Sequence, residues 1–265
     1  MKFEVDANKF NEIAGLASSC VELSTLQIFP EGYKDDDLGI ENGGLYFQQL
    51  DKANIISLSL KIPPSFFESY NVEQQYSIGM PWERISSVLS RVRDPTVEIE
   101  LGDKGKLDFE ANSGFSFQMS LVSTEGIPSG GLPDLDYDTN FACTMDDIGR
   151  VVNSCELVDD SIHFEVKQTD DGNQEIVGWA SGDTDSVEDR ITKITGNDLK
   201  NAHTIFGTDI INKISKNIPN DNSIQVGMSY NGGRGNGKNY PVRIQSELFN
   251  EVDVDISLAP RNKGT

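Results

Sequence analysis

The chain has 265 residues, 37% of them hydrophobic, and its 43 acidic against 22 basic side chains leave a net charge of −21. The length allows two ordinary domains with real cores, whereas the charge repels nucleic acid phosphates and acidic membranes over most of the surface and suits a protein kept soluble in concentrated salt. Scattered Cys20, Cys143 and Cys155, only two histidines (His163 and His203), a charged start and no apolar run approaching ~20 residues exclude a disulfide framework, a zinc site and a membrane span, so the expectation is a soluble intracellular protein without metal or cofactor.

In chain order, the periodicity predicts a first helix over about residues 6–18, which ends in Ala17-Ser18-Ser19-Cys20-Val21-Glu22-Leu23 and leads into a strand, Leu26-Gln27-Ile28-Phe29. A second helix over about 81–94 has Ile85, Val88 and Val92 at i, i+3, i+7, the spacing of a buried face, and precedes the alternating strand Val97–Leu101. The stretch from Gly114 to Leu121 alternates strictly and carries no charge.

Residues 122–138, VSTEGIPSGGLPDLDYD, are rich in Gly, Pro and acidic residues and read as a connector, so the expected domains are 1–121 and 139–265. Beyond it the pattern repeats. Val152-Asn153-Ser154-Cys155-Glu156-Leu157 echoes the end of the first helix, and Ile211, Ile214 and Ile218 echo the apolar face of the second. The corresponding helices are expected over about 144–154 and 208–217, so the chain reads as two similar halves.

Two uncharged strands, Gly114–Leu121 and Ile176–Ser181, are open to two readings. Either both are interior strands, or both are sheet edges that must be paired, since bare edges usually carry charge, proline or bulges. One such edge per half permits head-to-tail pairing between copies, which can close a ring.

Near the C-terminus, Asn231 to Pro241 (NGGRGNGKNYP) places Gly232, Gly237 and Lys238 in the frame of a phosphate-cradling loop. Such a loop ends a strand and opens a helix, so that backbone N–H groups and the helix dipole meet one anion. Here alternation on both sides, Ser223–Met228 before and Tyr240–Gln245 after, predicts strand, glycine loop, strand. Asn239 also stands where Ser or Thr should bind magnesium.

The segments Leu50-Asp51-Lys52-Ala53-Asn54-Ile55, PPSFFESY, PWERISSVL, GLPDLDY and the terminal SLAPR, in this order and with the internal repeat, resemble the DNA sliding clamps called proliferating cell nuclear antigen, in the acidic archaeal manner. The resemblance covers about residues 1–261. It implies an α+β fold of two similar clamp domains per chain, helices inside and antiparallel sheets outside, with three copies closing into a ring around duplex DNA. It implies no catalytic residue, a place in the cytoplasm near the nucleoid of an archaeal cell or infected host, and DNA contact independent of sequence.

The resemblance also implies three sets of residues. The subunit joint pairs the strand of Phe115, Phe117, Met119 and Leu121 with that of Ile176, Val177 and Trp179. Cations of the four inner helices, Lys9, Arg84, Arg91, Arg93, Arg150, Lys213 and Lys216, face DNA. They are matched in number by acidic residues of the same helices, so these helices are neutral within a strongly negative chain, although better-studied members carry more lysine there, which implies a weaker grip.

A hydrophobic groove under the connector, lined by Leu50, Leu132, Pro133, Tyr137, Gly207, Pro241, Ser257, Leu258, Ala259 and Pro260, takes short PIP-type peptides of a DNA polymerase, the clamp loader replication factor C, a flap endonuclease and a ligase. Ser257 departs from the aromatic residue often found there. Two alternatives stand beside this reading: a nucleotide-binding enzyme using Gly232 to Lys238, and a monomeric or heteromeric clamp-like adaptor.

Overall fold

The computed structural model describes residues 1–102, 105–127, 135–194, 199–229 and 240–261. They cluster into two compact units. The first is drawn from residues up to 131 together with Glu247–Val254, and the second from the residues beyond 131 other than that insert, together with Asn54–Ile56.

In the first unit, β1 (Lys2–Asp6) runs into α1 (Ala7–Cys20), followed by β2 (Leu23–Phe29), β3 (Gly44–Leu50), β4 (Ile56–Ile62), the short β5 (Ser69–Asn71) and β6 (Tyr76–Pro81). Then come α2 (Trp82–Leu89), β7 (Thr96–Leu101), β8 (Lys106–Glu110) and β9 (Ser116–Ser120). Asp6 starts α1 by accepting from the backbone N–H groups of Asn8 (2.9 Å) and Lys9 (3.0 Å). The helix then buries Phe10, Ile13, Ala14 and Ala17 along one stripe. Beside it α2 buries Trp82, Ile85, Val88 and Leu89, and the Trp82 indole N–H donates to Ser24 Oγ at 2.8 Å in the interior. The two helices touch, with the Ser86 hydroxyl donating to Asn11 Oδ1 at 2.9 Å.

Expected to reach about residue 94, α2 stops at Leu89. The chain tightens through Arg91 N–H to Val88 C=O (3.1 Å) and Val92 N–H to Leu89 C=O (3.0 Å), and Pro95 disfavours helical backbone at Asp94. Arg91 and Arg93 therefore lie beyond the helix.

The strands of this unit order as β5-β1-β7-β8-β9 and as β4-β3-β2-β6. Glu4, Glu98 and Glu110 stand opposite one another across β1, β7 and β8. Like charges in that position destabilise a sheet. They are offset in part by Lys2, whose Nζ lies 2.6 Å from Glu98 and 3.5 Å from Glu100, and by the Thr96 hydroxyl donating to Glu4 at 2.8 Å.

The second unit repeats the order of strands and helices: β10 (Thr139–Thr144), α3 (Met145–Glu156), β11 (Ser161–Gln168), β12 (Gln174–Ser181), β13 (Ser186–Ile194), β14 (His203–Gly207), α4 (Thr208–Ser215), β15 (Ser223–Met228), β16 (Val242–Leu248) and β17 (Val252–Leu258). Thr144 and Asp147 form a reciprocal capping box at the start of α3. The buried face of α3 is Met145, Ile148, Val151, Val152 and Cys155, and that of α4 includes Ile211 and Ile214. The sheets order as β13-β12-β11-β14 and β10-β15-β16-β17.

Helix α3 lies so close to β12 that a Cβ at Gly178 would fall 2.2 Å from Val151 Cγ1. Val151 is fully buried, so neither side can yield. Gly178→Ala is expected to cost about 1–3 kcal/mol by overpacking, measured as a lower denaturation midpoint. An unchanged midpoint would show that the helix can lift off the sheet freely.

Strands β15 and β16 pair antiparallel, Ile224 opposite Ser246 and Val226 opposite Ile244. Gly232, Gly237 and Lys238 lie outside the described residues, but the element that follows them is β16, not a helix. Strand on both sides removes the helix N-terminus on which the nucleotide-binding alternative depended. The hairpin of β16 and β17 turns at Phe249 and Asn250, whose φ values of 58° and 59° are those of a two-residue turn twisted to suit the strands.

One expectation is overturned. Ile176 to Ser181 is not an edge: β12 is paired on one side with β11 and on the other with β13. The outer strand of that sheet is β13, which carries Glu188, Asp189, Arg190 and Lys193, the charged pattern that discourages unwanted edge pairing.

Candidate functional site

Three groups of residues rise above the background of a solvated acidic surface. The first is the pair of strand edges. Among the described residues, β9 ends the first unit's five-stranded sheet and β13 ends the second unit's four-stranded sheet, each with a ladder partner on one side only. Three of the other end strands are covered or short, while β10 is also laddered on one side only, to β15. Val122 bridges to Gly79 beside β6, the Arg261 N–H donates to the Ile205 carbonyl beside β14 at 2.7 Å, and β5 has three residues.

On β9, Phe117 is half-buried and Met119 fully buried, while Phe115 and Leu121 flank the strand half-buried. Met119 is thus core. The same holds for Ile176 and Val177 on β12, both buried. Trp179 is half-buried and engaged within its own unit: its ring stacks on His163 with centroids 3.6 Å apart, and its indole N–H donates to Glu165 at 2.9 Å. His163 Nδ1 in turn lies 2.9 Å from His203 Nε2, so the two histidines form a packed pair. Burial holds the His203 pKa below the usual histidine value.

The second group is the cations on the helices or just past their ends, Arg91, Arg93 and Lys216 being the ones past an end. Lys9, Arg84, Arg91, Arg93, Arg150, Lys213 and Lys216 are all exposed. Lys9 Nζ sits 5.7 Å from the centre of the Phe249 ring, within reach of a cation–π contact. None of the ion pairs among the described residues includes Arg84, Arg91, Arg93, Lys213 or Lys216. Arg150 differs, because its guanidinium is bonded to Asp189 and to the Arg190 carbonyl.

The third group is the apolar surface of the second unit around the end of β17. Leu258, expected to line a groove, is 1% exposed, and Ser257 and Gly207 are buried as well. They support the surface from beneath. Ala259 and Pro260 are half-buried, and the Ala259 N–H donates to the Ile55 carbonyl at 2.8 Å. Ile55 itself is 39% exposed, one of two large apolar side chains left in solvent among the described residues.

Sequence reasoning passed over Ile55, although a signal existed. Ile55 and Ile56 are consecutive, and in an extended chain only one of two neighbours can face inward. The segment after β17 is held by Arg261, whose Nη1 donates to the Asp160 carbonyl and to Ser161 Oγ, both at 3.0 Å. The same guanidinium lowers the Asp160 carboxyl to about 2.

Tyr137 is half-buried and lies over Gly227, where a Cβ would come within 3.0 Å of the ring. It meets Tyr240 edge-on at 6.3 Å, next to half-buried Pro241. Leu50 belongs to the first unit and is half-buried, while Leu132 and Pro133 lie outside the described residues.

Burial pushes the thiols of Cys20 and Cys143 up to about 12 and that of Cys155 to about 11, so none of them is a thiolate at neutral pH. Among the described residues no cluster of three or more His, Cys, Asp or Glu could hold a metal, and no helix is long and apolar enough to cross a membrane.

No family model matches the chain. It is, however, similar to curated DNA polymerase sliding clamps: 26% identical over 257 residues to that of Haloarcula marismortui, covering 95% of this chain and 98% of the relative. It is 30% identical over 227 residues to that of Methanothrix thermoacetophila, covering 84% and 87%. Its fold matches the A. fulgidus PCNA solved with the C-terminal region of FEN-1, with a TM-score of 0.82, 19% identity and coverage of 100% of this chain and 99% of that one. PCNA from Thermococcus kodakaraensis matches with a TM-score of 0.79, 17% identity and 98% and 99% coverage. With the repeated units, the exposed helix cations and whole-length similarity at this identity, the chain belongs to the family of DNA polymerase sliding clamps.

Proposed function

We propose that three copies of this chain close into a ring around duplex DNA by pairing β9 of each copy with β13 of the next, and that the ring tethers replication and repair enzymes to the template. The observation that carries this reading is the pair of single-sided strands that end the five-stranded sheet of the first unit and the four-stranded sheet of the second, β9 and β13. Two unlike edges on one chain make a head-to-tail contact, and such contacts close only as rings or run on as filaments. Tethering raises the effective concentration of a bound enzyme at its substrate without any base contact. Light scattering at several salt concentrations tests the ring. A mass of three chains is expected, and a mass of one chain throughout would overturn it.

Partners dock through the apolar surface around Ile55, Ala259 and Pro260, with the connector contributing Tyr137. Short peptides ending in aliphatic and aromatic plugs suit it, and the polymerase, the clamp loader replication factor C, a flap endonuclease and a ligase are the enzymes expected to carry them. An exposed isoleucine in so acidic a surface is an anchor for an apolar side chain, which contributes about 1.5–3 kcal/mol when fully buried. Ile55→Asp is therefore expected to weaken capture of such a peptide at least about tenfold by calorimetry, leaving melting behaviour and mass unchanged. Undiminished affinity would move the docking surface elsewhere. Leu258 is unsuited to this test, because a charge at a 1% exposed position would unfold the second unit.

A further inference from the structure

Arg150 stands on the exposed side of α3, among the cations expected to meet phosphate, yet its guanidinium is committed inside the chain. Nη1 donates to the Asp189 carboxylate, Nη2 donates to the Arg190 carbonyl at 2.7 Å, and Asp147 of the capping box lies 3.8 Å away. Both acceptors belong to β13, the outermost strand of its sheet. A strand laddered on one side only is held by half the backbone bonds of an interior strand, and its register with β12 already slips between Ile176 and Val177. A planar fork that grips the side chain of one residue and the main chain of the next fixes two successive positions, which a flexible ammonium does not do.

Two of the three remaining charges of β13, Glu188 and Lys193, are also paired within the unit, while the exposed Arg190 side chain enters none of the ion pairs among the described residues. Glu188 is bonded by Lys167, and Lys193 lies 2.8 Å from Asp171. The β9 strand that would meet it, Ser116-Phe117-Gln118-Met119-Ser120, carries no charge at all.

We propose that Arg150 is a positioning residue for the subunit joint and not a DNA contact: by tying Asp189 and the Arg190 carbonyl to α3, it holds the β13 edge extended and ready to receive β9 of the next copy. This rests on the ring reading above. A phosphate approaching Arg150 would meet a cation whose charge is already offset by Asp189 and Asp147, whereas Lys213 or Arg84 offers a cation outside the ion pairs among the described residues.

The test compares wild type, Arg150→Gln, Asp189→Asn and the exchanged pair Arg150→Asp with Asp189→Arg. Sedimentation over a concentration series reads assembly. Hydrogen exchange of the β13 amides, measured in chains kept single by Phe117→Asp, reads the order of the strand before assembly. Arg150→Gln is expected to raise the concentration at which rings fall apart by about tenfold, to speed exchange in β13 but not in β11, and to leave DNA retention per assembled ring unchanged. The exchanged pair is expected to recover most of the assembly, which general destabilisation would not allow.

Should Arg150→Gln fail to fold, Asp189→Asn carries the same comparison from the strand side. Assembly and β13 exchange equal to wild type would overturn the proposal, as would weakened DNA retention with unchanged assembly, which would return Arg150 to the DNA surface. A wild-type chain that never assembles removes the ring and this inference together. A wild-type ring with indifferent variants removes only the inference.

Discussion

A one-to-one mixture of Phe117→Asp and Val187→Asp chains should form a species of two chains, although each variant alone stays a single chain. Phe117 on β9 and Val187 on β13 are both half-buried in the isolated chain, so each tolerates a carboxylate at modest cost to its own unit. In the joint the same carboxylate is taken out of water beside an apolar strand without a partner, at about 3 kcal/mol or more, which is over a hundredfold in each pairing. Every joint of a homogeneous ring contains the altered edge, so every joint fails.

In the mixture one combination escapes. The intact β13 of a Phe117→Asp chain meets the intact β9 of a Val187→Asp chain, and growth stops there because both free edges are spoiled. Three-chain masses for both variants would place the joint outside these strands. Single chains in the mixture would show that β9 and β13 are not each other's partner.

The second large effect is electrostatic. Converting Arg84, Arg91 and Lys213 to Glu should reduce polymerase processivity on primed DNA to that of the polymerase without its clamp, with the three-chain mass unchanged. All three are exposed and absent from the ion pairs among the described residues, so the substitution alters surface charge without breaking internal contacts. On a chain of net charge −21 these cations are places where phosphate meets attraction, and reversing three of the seven puts repulsion there instead. The gap between variant and wild type should narrow as salt rises, since at 1 M the screening length is only about 3 Å. Undiminished processivity at low salt would show that these side chains do not meet DNA.

Much of the fold was legible because its signals are local. The apolar face of α4 and the strand Ser223–Met228 follow from spacing within a dozen residues, and the structure places them, and the bounds of α1 and α3, within a residue or two of expectation. The helix that starts at Trp82 is shorter than its apolar period implies, because Val92 continues that period into a turn that Pro95 closes. For the glycine loop, alternation in the flanks outweighed a motif match, and β16 after it agrees.

The sites were legible by residue type but not by role. Two uncharged alternating strands look the same whether a ladder forms on one side or both, so β12 and β9 could not be told apart until β13 was seen beside the first. Leu258, which the resemblance makes a groove wall, is core, whereas Ile55, to which the resemblance assigns no role, is surface. Arg150 looks like any other cation on a solvated helix face, because its acceptors lie 39 and 40 residues away.

The sequence by itself therefore determined the elements, the duplication and the family, since these depend on periodicity and on the order of short segments. Only the tertiary structure decided which strand is an edge, which apolar residue is exposed and which cation is free. Each of those is a property of neighbours brought in from distant parts of the chain, and burial and pairing do not exist until the sheets have formed.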